Sequence, residues 1–112
     1  MGRRYTNEKH LAHVRGHDCL LRGSDCFGGV EAHHLMKPWF GYRGMGMKAG
    51  DMNVIPLCHQ HHMALHATGN ENTFWINAGL SPDIGRAVAL RLWESSPHKE
   101  DLKEWKPRGK EY

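Results

Sequence analysis

With 112 residues, the chain is long enough for one compact domain but buries a smaller share of its surface than a large protein does. Hydrophobic residues make up only 39% of it, which predicts that a disulfide, a metal ion or oligomerisation supplements the apolar core. No window approaches the roughly 18 apolar residues of a membrane span, so we expect a soluble, cytoplasmic protein whose net charge of +3 is compatible with a polyanionic partner.

The first half of the chain is predicted to contain a helix, a strand and a long loop. Residues 6–14 are typical of a short helix with Thr6 or Asn7 as its N-cap. Residues 28–36 begin with two glycines and predict a strand that ends near two consecutive histidines. Residues 37–53 are rich in glycine and aromatic side chains, which indicates a structured loop.

The second half is predicted to contain a strand and two helices. The apolar residues 54–57 indicate the strand, and residues 59–67 predict a helix that ends at Gly69. Residues 81–95 open with Ser-Pro-Asp, which favours the start of another helix at that point. Its buried stripe is predicted from apolar residues that recur every four positions: Ile84, Val88 and Leu92.

The domain organisation is predicted to be simple. The sequence has no internal repeat and no low-complexity linker, which favours a single domain over residues 1–112. We expect its core at about 10–95, followed by a charged tail at about 97–112 that frays at the surface. The mixture of two strands and several helices predicts an α+β fold.

Four histidines form the main chemical signal. His62 and His66 are four residues apart, and on a helix this spacing places both imidazoles on one face, where they can share a metal ion. His33 and His34 are adjacent on a predicted strand, so their side chains point to opposite faces and can have different roles. One of these can bind the metal while the other faces a water molecule. The alternative is that the helical pair is solvated and one strand histidine is simply buried.

The cysteines predict a second site with different chemistry. Cys58 and His61 have the ligand-x-x-ligand spacing of half a tetrahedral zinc site, and Cys19 with Cys26 can supply the other half. An odd number of cysteines in a reducing cytosol favours thiolates for a metal over disulfides. The alternative is that Cys19 is a small core residue and Cys58 a buried thiol.

The order of these residues resembles that of the HNH, or ββα-metal, nucleases. The histidine pair, then Asn53, then His62 and His66 follow the pattern of the colicin-type DNases in this superfamily, and Asn53 precedes His62 by nine residues, as their asparagine does. The segment VEAHHLMKPW and the residues after it look like the small HNH proteins of phages and prophages. The resemblance covers about residues 10–95. It implies a ββα-metal core, the His-Me finger, with a structural zinc site and flanking helices.

The resemblance also implies a role for each matching residue. His33, His62 and His66 match the three ligands of the catalytic metal ion. His34 matches the general base, and Asn53 matches the residue whose amide pins the loop and orients that base. Many HNH nucleases have aspartate where His33 stands, so this site has three neutral histidine ligands and should tolerate transition metals better than an all-oxygen Mg²⁺ site does. The expected catalytic ion is Mg²⁺, Mn²⁺ or another divalent transition metal, beside a structural Zn²⁺.

The predicted activity is hydrolysis of DNA phosphodiester bonds by a phage-encoded, metal-dependent endonuclease that acts on double-stranded DNA in the cytoplasm of a bacterial host. Arg43 and Lys48, and also Arg22, are candidates for neutralising phosphates near the cleaved bond, although each can equally be a solvated charge. The alternative function is a noncatalytic, zinc-stabilised DNA-binding accessory protein in phage recombination or packaging. A metal-binding interaction protein also fits the ligands but leaves the basic loop unexplained.

Overall fold

A computed structural model describes residues 4–41 and 49–102 and has the α+β architecture that the sequence predicts. Its elements in chain order are α1 (Glu8–Arg15), β1 (Val30–His34), β2 (Val54–Cys58), α2 (His59–Thr68), α3 (Glu71–Asn77) and α4 (Ile84–Glu94). The strands form one antiparallel sheet, which α1, α2 and α4 contact, and α3 contacts α2. The fold is therefore a β-hairpin enclosed by helices.

The second strand lies in the core and leads directly into a helix. β1 pairs with β2 in a register that places Val30 opposite Cys58 and His34 opposite Val54. All five residues of β2 are buried, whereas four of the five in β1 are partly exposed. Because α2 begins at the residue after β2, the end of the buried strand fixes where the helix starts.

Helix α2 agrees with its predicted bounds to within one residue, since it begins at His59 and ends at Thr68. The Cys58 side chain caps its first turn by accepting a hydrogen bond from the backbone N–H of His61, and Gly69 ends it with a left-handed φ of 76°. Gly28, before β1, also has a positive φ of 85°, and a Cβ atom there would lie 2.7 Å from the Cβ of His59. Glycine at this position therefore allows the lead into β1 to approach α2 closely.

Two predictions for the last helices were wrong in detail. Helix α4 begins at Ile84 rather than at the Ser-Pro-Asp sequence, where Ser81 Oγ instead accepts from the N–H of Asp83 at 3.2 Å. Its buried residues are Gly85, Ala89 and Trp93. Each lies one position after a residue of the predicted stripe, and the residues of that stripe are only partly buried. The physical reason is Gly85: a Cβ atom there would lie 3.0 Å from Leu35 Cδ2, so the side chain of another segment fills the groove beside the helix.

Helix α3 was not predicted at all. Asn70 caps it by accepting from the N–H of Thr73 at 3.0 Å, and it buries Trp75 and Glu71. Seven residues are too short to display a clear helical period. The helix matters because Glu71 faces the interior.

The residues after α4 return to the start of the chain. The carbonyl of His98 accepts a hydrogen bond from Asn7 Nδ2 at 2.9 Å, and Tyr5 OH donates to Glu100. The first part of the predicted tail is thus held in place rather than frayed. Within the described ranges, no helix combines the length and apolar character needed to cross a bilayer.

Candidate metal centres

The hairpin and α2 bring three histidines from distant parts of the sequence together. His33 lies near the end of β1, and His62 and His66 lie one turn apart on α2. His33 Nδ1 is 3.1 Å from His62 Nε2, which is 3.2 Å from His66 Nε2. We call His33, His62 and His66 the histidine cluster.

The histidine cluster has the geometry and the donor chemistry of a metal site that is open on one side. Its three ligand nitrogens all lie within 4.8 Å of one another. Two ligands on a tetrahedral ion with bonds of about 2.1 Å lie roughly 3.4 Å apart, which is close to the observed separations. His33 is buried, the His62 side chain is 19% exposed and His66 is exposed, so solvent reaches one side of the cluster.

Two carboxylates contact the outer nitrogens of this cluster. Glu71 Oε2 lies 2.7 Å from His33 Nε2, and Glu31 Oε1 lies 2.6 Å from His62 Nδ1. The hydrogen bonds from His62 and then from His59 lower the pKa of Glu31. The sequence contained a signal for Glu31, which is two residues before His33 on the same strand face, but none for Glu71.

His34 forms a separate polar site with Asp51. Its Nε2 lies 2.7 Å from Asp51 Oδ1, and the same oxygen accepts from Arg4 Nη1 at 2.6 Å. Burial would raise the pKa of Asp51, but hydrogen bonds from His34 and from the backbone N–H of Asn7, with the charge of Arg4, lower it. An ionised carboxylate only accepts hydrogen bonds, so Nε2 of His34 carries a proton and Nδ1 keeps its lone pair.

The Asn53 side chain holds the loop that follows β1. Its Oδ1 accepts from the N–H groups of Trp39 and Phe40 at 2.8 and 3.1 Å, and its Nδ2 donates to the carbonyl of Phe40 at 3.1 Å. The side chains that contact the ring of His34 are instead those of Asp51, 2.7 Å from Nε2, and Arg4, whose Nη1 lies 3.3 Å from the same nitrogen. Asp51 is therefore a site residue that the sequence analysis missed, although it lies two residues before Asn53.

The three cysteines and His61 form a second, more enclosed group, which we call the sulfur cluster. His61 Nδ1 lies 3.4 Å from Cys19 Sγ, 3.6 Å from Cys26 Sγ and 3.2 Å from Cys58 Sγ. All four donor atoms lie within 4.8 Å of one another. This arrangement could bind a metal such as zinc with four protein ligands, which leaves no coordination position for a substrate.

Backbone contacts hold the cysteine loop against the hairpin and α2. Leu20 N donates to the carbonyl of Pro56 at 2.8 Å, and Gln60 N donates to the carbonyl of Phe27 at 3.0 Å. These bonds fix both ends of the segment that carries Cys19 and Cys26. The six-residue gap between these cysteines is therefore compatible with convergence on His61.

The thiols of the sulfur cluster have different acidities. Burial raises the pKa of Cys19 to about 11. Burial also acts to raise the pKa of Cys58. Hydrogen bonds from the backbone N–H groups of His61 and Phe27, and from the other two thiols, outweigh burial and lower this pKa to about 6. Cys58 is thus the thiol most readily available as a thiolate ligand.

The predicted phosphate contacts are only partly covered by the structure. Arg43 and Lys48 lie outside the described residues. Arg22 is exposed and pairs with Asp18 at 3.0 Å, as a solvated charge does. Trp39 packs against the core and donates from Nε1 to the carbonyl of Met52 at 2.9 Å.

Comparison with known proteins identifies a family and a sequence relative. The profile of the DUF968 family, described as a protein of unknown function, matches residues 2–80, a region that contains both clusters. The uncharacterized protein YdfU of Escherichia coli (strain K12) is 39% identical over 64 residues, which are 57% of this chain and 17% of YdfU. The chain thus corresponds to less than a fifth of that relative's length. No solved structure matches the chain significantly.

Proposed function

The chain belongs to the DUF968 family, whose function is unknown, and we propose that it is a metal-dependent endonuclease of the HNH type that hydrolyses DNA phosphodiester bonds. The observation that carries this proposal is the arrangement around β1. One strand residue, His33, joins a cluster of ligand nitrogens, and the next, His34, has a carboxylate partner at Nε2 and no hydrogen-bond partner at Nδ1 among the described residues. A purely structural metal site has no use for this second histidine.

The order of elements supports the same proposal. An antiparallel hairpin is followed at once by a helix that carries His62 and His66, which is the arrangement that the resemblance to ββα-metal nucleases implies. The Asn53 amide pins the loop between the two strands of the hairpin, as that resemblance also implies. We propose that this unit is the catalytic core and that the sulfur cluster is a structural zinc site beside it.

The histidine cluster would hold the catalytic ion through His33 Nδ1, His62 Nε2 and His66 Nε2. A divalent ion bound there supplies stabilisation of the negative charge that develops on the phosphate and on the leaving oxygen. Imidazole ligands suit transition metals, so Mn²⁺, Ni²⁺ or Zn²⁺ is as compatible with the cluster as Mg²⁺. The exposed side at His66 gives a phosphate access to it.

His34 would act as the general base. Its Nδ1 takes a proton from the attacking water, whose oxygen forms a new bond to phosphorus while the bond to the 3′ oxygen breaks. The leaving oxygen then receives a proton from solvent. The Asp51 carboxylate, held by Arg4, stabilises the imidazolium that His34 becomes, because the positive charge forms 2.7 Å from it. Asp51 therefore orients the base and also assists the proton transfer.

The substrate and the biological setting belong to the same proposal. We propose double-stranded DNA as the substrate and a phage recombination or packaging protein as a partner. Arg43 and Lys48 are the candidate phosphate contacts, since their loop joins β1 to β2, the two strands next to the site.

The decisive experiment is cleavage of supercoiled plasmid by the purified protein with Mg²⁺, Mn²⁺, Ni²⁺, Zn²⁺ or EDTA. We expect conversion to nicked or linear DNA with at least one ion and none with EDTA. A His34→Ala protein purified in the same way controls for contaminating nucleases. Equal conversion by both proteins, or no conversion with any ion, would refute the nuclease, and DNA retention without cleavage would favour the noncatalytic accessory protein.

A further inference from the structure

We infer that Glu71 is a positioning residue for the metal ion of the histidine cluster: it fixes the tautomer of His33 and supplies a buried negative charge behind that ligand. The inference rests on the proposed metal site and deepens it. It concerns a residue on α3, a helix that neither the sequence pattern nor the resemblance pointed to.

Glu71 is a buried carboxylate that accepts hydrogen bonds from two groups on and after β1. The residue is only 4% exposed, and its carboxylate accepts from His33 Nε2 at 2.7 Å and from the N–H of Met36 at 3.1 Å. Within residues 4–41 and 49–102, no lysine or arginine forms a salt bridge with it. Burying a carboxylate without a cationic partner is costly, so a nearby positive charge is expected.

The hydrogen bond to Glu71 determines the tautomer of His33. Because the Glu71 carboxylate accepts a hydrogen bond at Nε2, that nitrogen carries the proton, and Nδ1 presents its lone pair to the cluster. Glu31 does the same for His62: it accepts at Nδ1 and leaves the lone pair of Nε2 pointing at the cluster. Both carboxylates thus set their histidines in the form that binds a metal.

The lone pairs of His33 and His62 face each other across a short distance. His33 Nδ1 and His62 Nε2 are 3.1 Å apart, and two lone pairs facing each other at this distance repel unless a cation lies between them. Three neutral imidazoles with two outer carboxylates carry a net charge of about −2, which matches a divalent cation. The same cation supplies the positive charge that buried Glu71 lacks.

The two carboxylates differ in burial, so substitutions of Glu71 and Glu31 should weaken metal binding to different extents. Glu31 has a side chain that is 42% exposed and shares its oxygens with His59. Water can replace its hydrogen bond to His62, whereas nothing can replace that of Glu71. We therefore expect Glu71→Gln to weaken metal binding about ten- to a hundredfold, and Glu31→Gln to weaken it less.

The test is calorimetric titration of Ni²⁺ into protein whose sulfur cluster has first been loaded with Zn²⁺. Wild type, Glu71→Gln and Glu31→Gln are compared with Glu94→Gln, an exposed glutamate on α4 as the matched control, and with His62→Ala as the background without the site. We expect wild-type affinity for Glu94→Gln and the graded losses for the other two. The Ni²⁺-induced rise in Tm should shrink in the same order.

The outcomes separate this inference from the proposed function. If wild type binds Ni²⁺ no better than His62→Ala does, both the metal site and the role of Glu71 are refuted. If wild type binds and Glu71→Gln binds equally well, only the role of Glu71 is refuted. If Glu71→Gln does not fold, Glu71→Asp takes its place, because its shorter side chain withdraws the carboxylate from His33: Ni²⁺ affinity equal to that of Glu94→Gln would refute the role of Glu71.

Discussion

The histidine cluster and the sulfur cluster share one helix but differ in the number of their ligands, in the chemistry of those ligands and in their exposure to solvent. His61 and His62 are consecutive residues of α2, and each belongs to a different cluster. The sulfur cluster offers four ligands, three of them thiols, in a largely buried place. The histidine cluster offers three nitrogens and opens to solvent at His66.

The difference shows how one short helix can serve stability and chemistry at once. Consecutive residues on a helix point in directions about 100° apart, so neighbouring side chains reach separate sites. A closed site with four ligands stabilises the fold, whereas an open site with three can also bind a phosphate oxygen. Substitutions in the two clusters should therefore have different consequences, although the substituted residues lie close together.

The largest effect is expected for Cys58→Ala. Cys58 is both a ligand candidate and the N-cap of α2, so its loss removes a metal ligand and a helix cap. Structural zinc contributes about 10–16 kcal/mol in zinc-finger peptides, which is as large as the whole stability of a small domain. We expect loss of bound zinc and of cooperative unfolding, measured by metal analysis and circular dichroism.

Met63→Ala is the control for that experiment, since Met63 is 53% exposed on the same helix. It should keep its zinc and melt close to wild type. If Cys58→Ala melts like Met63→Ala and the wild-type protein contains no zinc, the sulfur cluster is not a metal site.

The next effect is expected for His62→Ala, which tests the other side of the comparison. The two remaining imidazoles should hold the catalytic ion poorly, so cleavage should fall to background while the fold and the zinc are retained. His17→Ala is the control, because His17 is an exposed histidine outside both clusters, whereas His59 on α2 contacts Glu31 beside His62. Loss of zinc from His62→Ala would show that the two clusters are not independent.

A smaller effect is expected for His34→Ala, which leaves both clusters intact. Cleavage should fall by about two to four orders of magnitude, the usual contribution of a positioned general base, while DNA binding and both metals remain. His17→Ala, at an exposed histidine after α1, controls for the loss of an imidazole. An unchanged cleavage rate at neutral pH would show that His34 is not the base.

The smallest effect concerns a histidine outside both clusters. His10 is fully buried, its Nδ1 lies 3.0 Å from Ser96 Oγ, and its Nε2 has no hydrogen-bond partner among the described residues. Burial lowers its pKa from 6.5 to about 4, and the neighbouring His13, His98 and His17 add to this, while Asp51 opposes it. Folded protein therefore keeps this ring neutral where the unfolded chain protonates it.

The sign of the pH dependence follows from that difference. Below pH 6.5 the unfolded chain binds the extra proton, so stability falls as the pH is lowered from 6.5 toward 4. The His10 contribution to this loss should reach about 2 kcal/mol by pH 5. His10→Asn, which cannot titrate, should lose that much less stability than wild type between pH 7.5 and 5 in urea unfolding. Parallel losses in both proteins would show that His10 is not responsible.

The sequence by itself determined most of the elements and the identity of both clusters. The alternation of turn residues with apolar runs predicted β1, β2 and α2, because these signals are local. The i, i+4 spacing of His62 and His66 and the ligand-x-x-ligand spacing of Cys58 and His61 are local as well. These patterns predicted two ligands of each cluster, whereas the resemblance to the HNH nucleases was needed to choose His33 over His34, and Cys19 and Cys26 were only candidates for the other half of the zinc site.

Only the tertiary structure decided the environment of those side chains. Glu71 reaches His33 from a helix that is too short to predict, and Asp51 reaches His34 across the hairpin. The true buried face of α4 depends on Gly85, whose missing side chain makes room for Leu35. Such contacts join residues far apart in the chain, and no local pattern encodes them, because the free energy of a buried hydrogen bond or a packed groove depends on which surfaces meet.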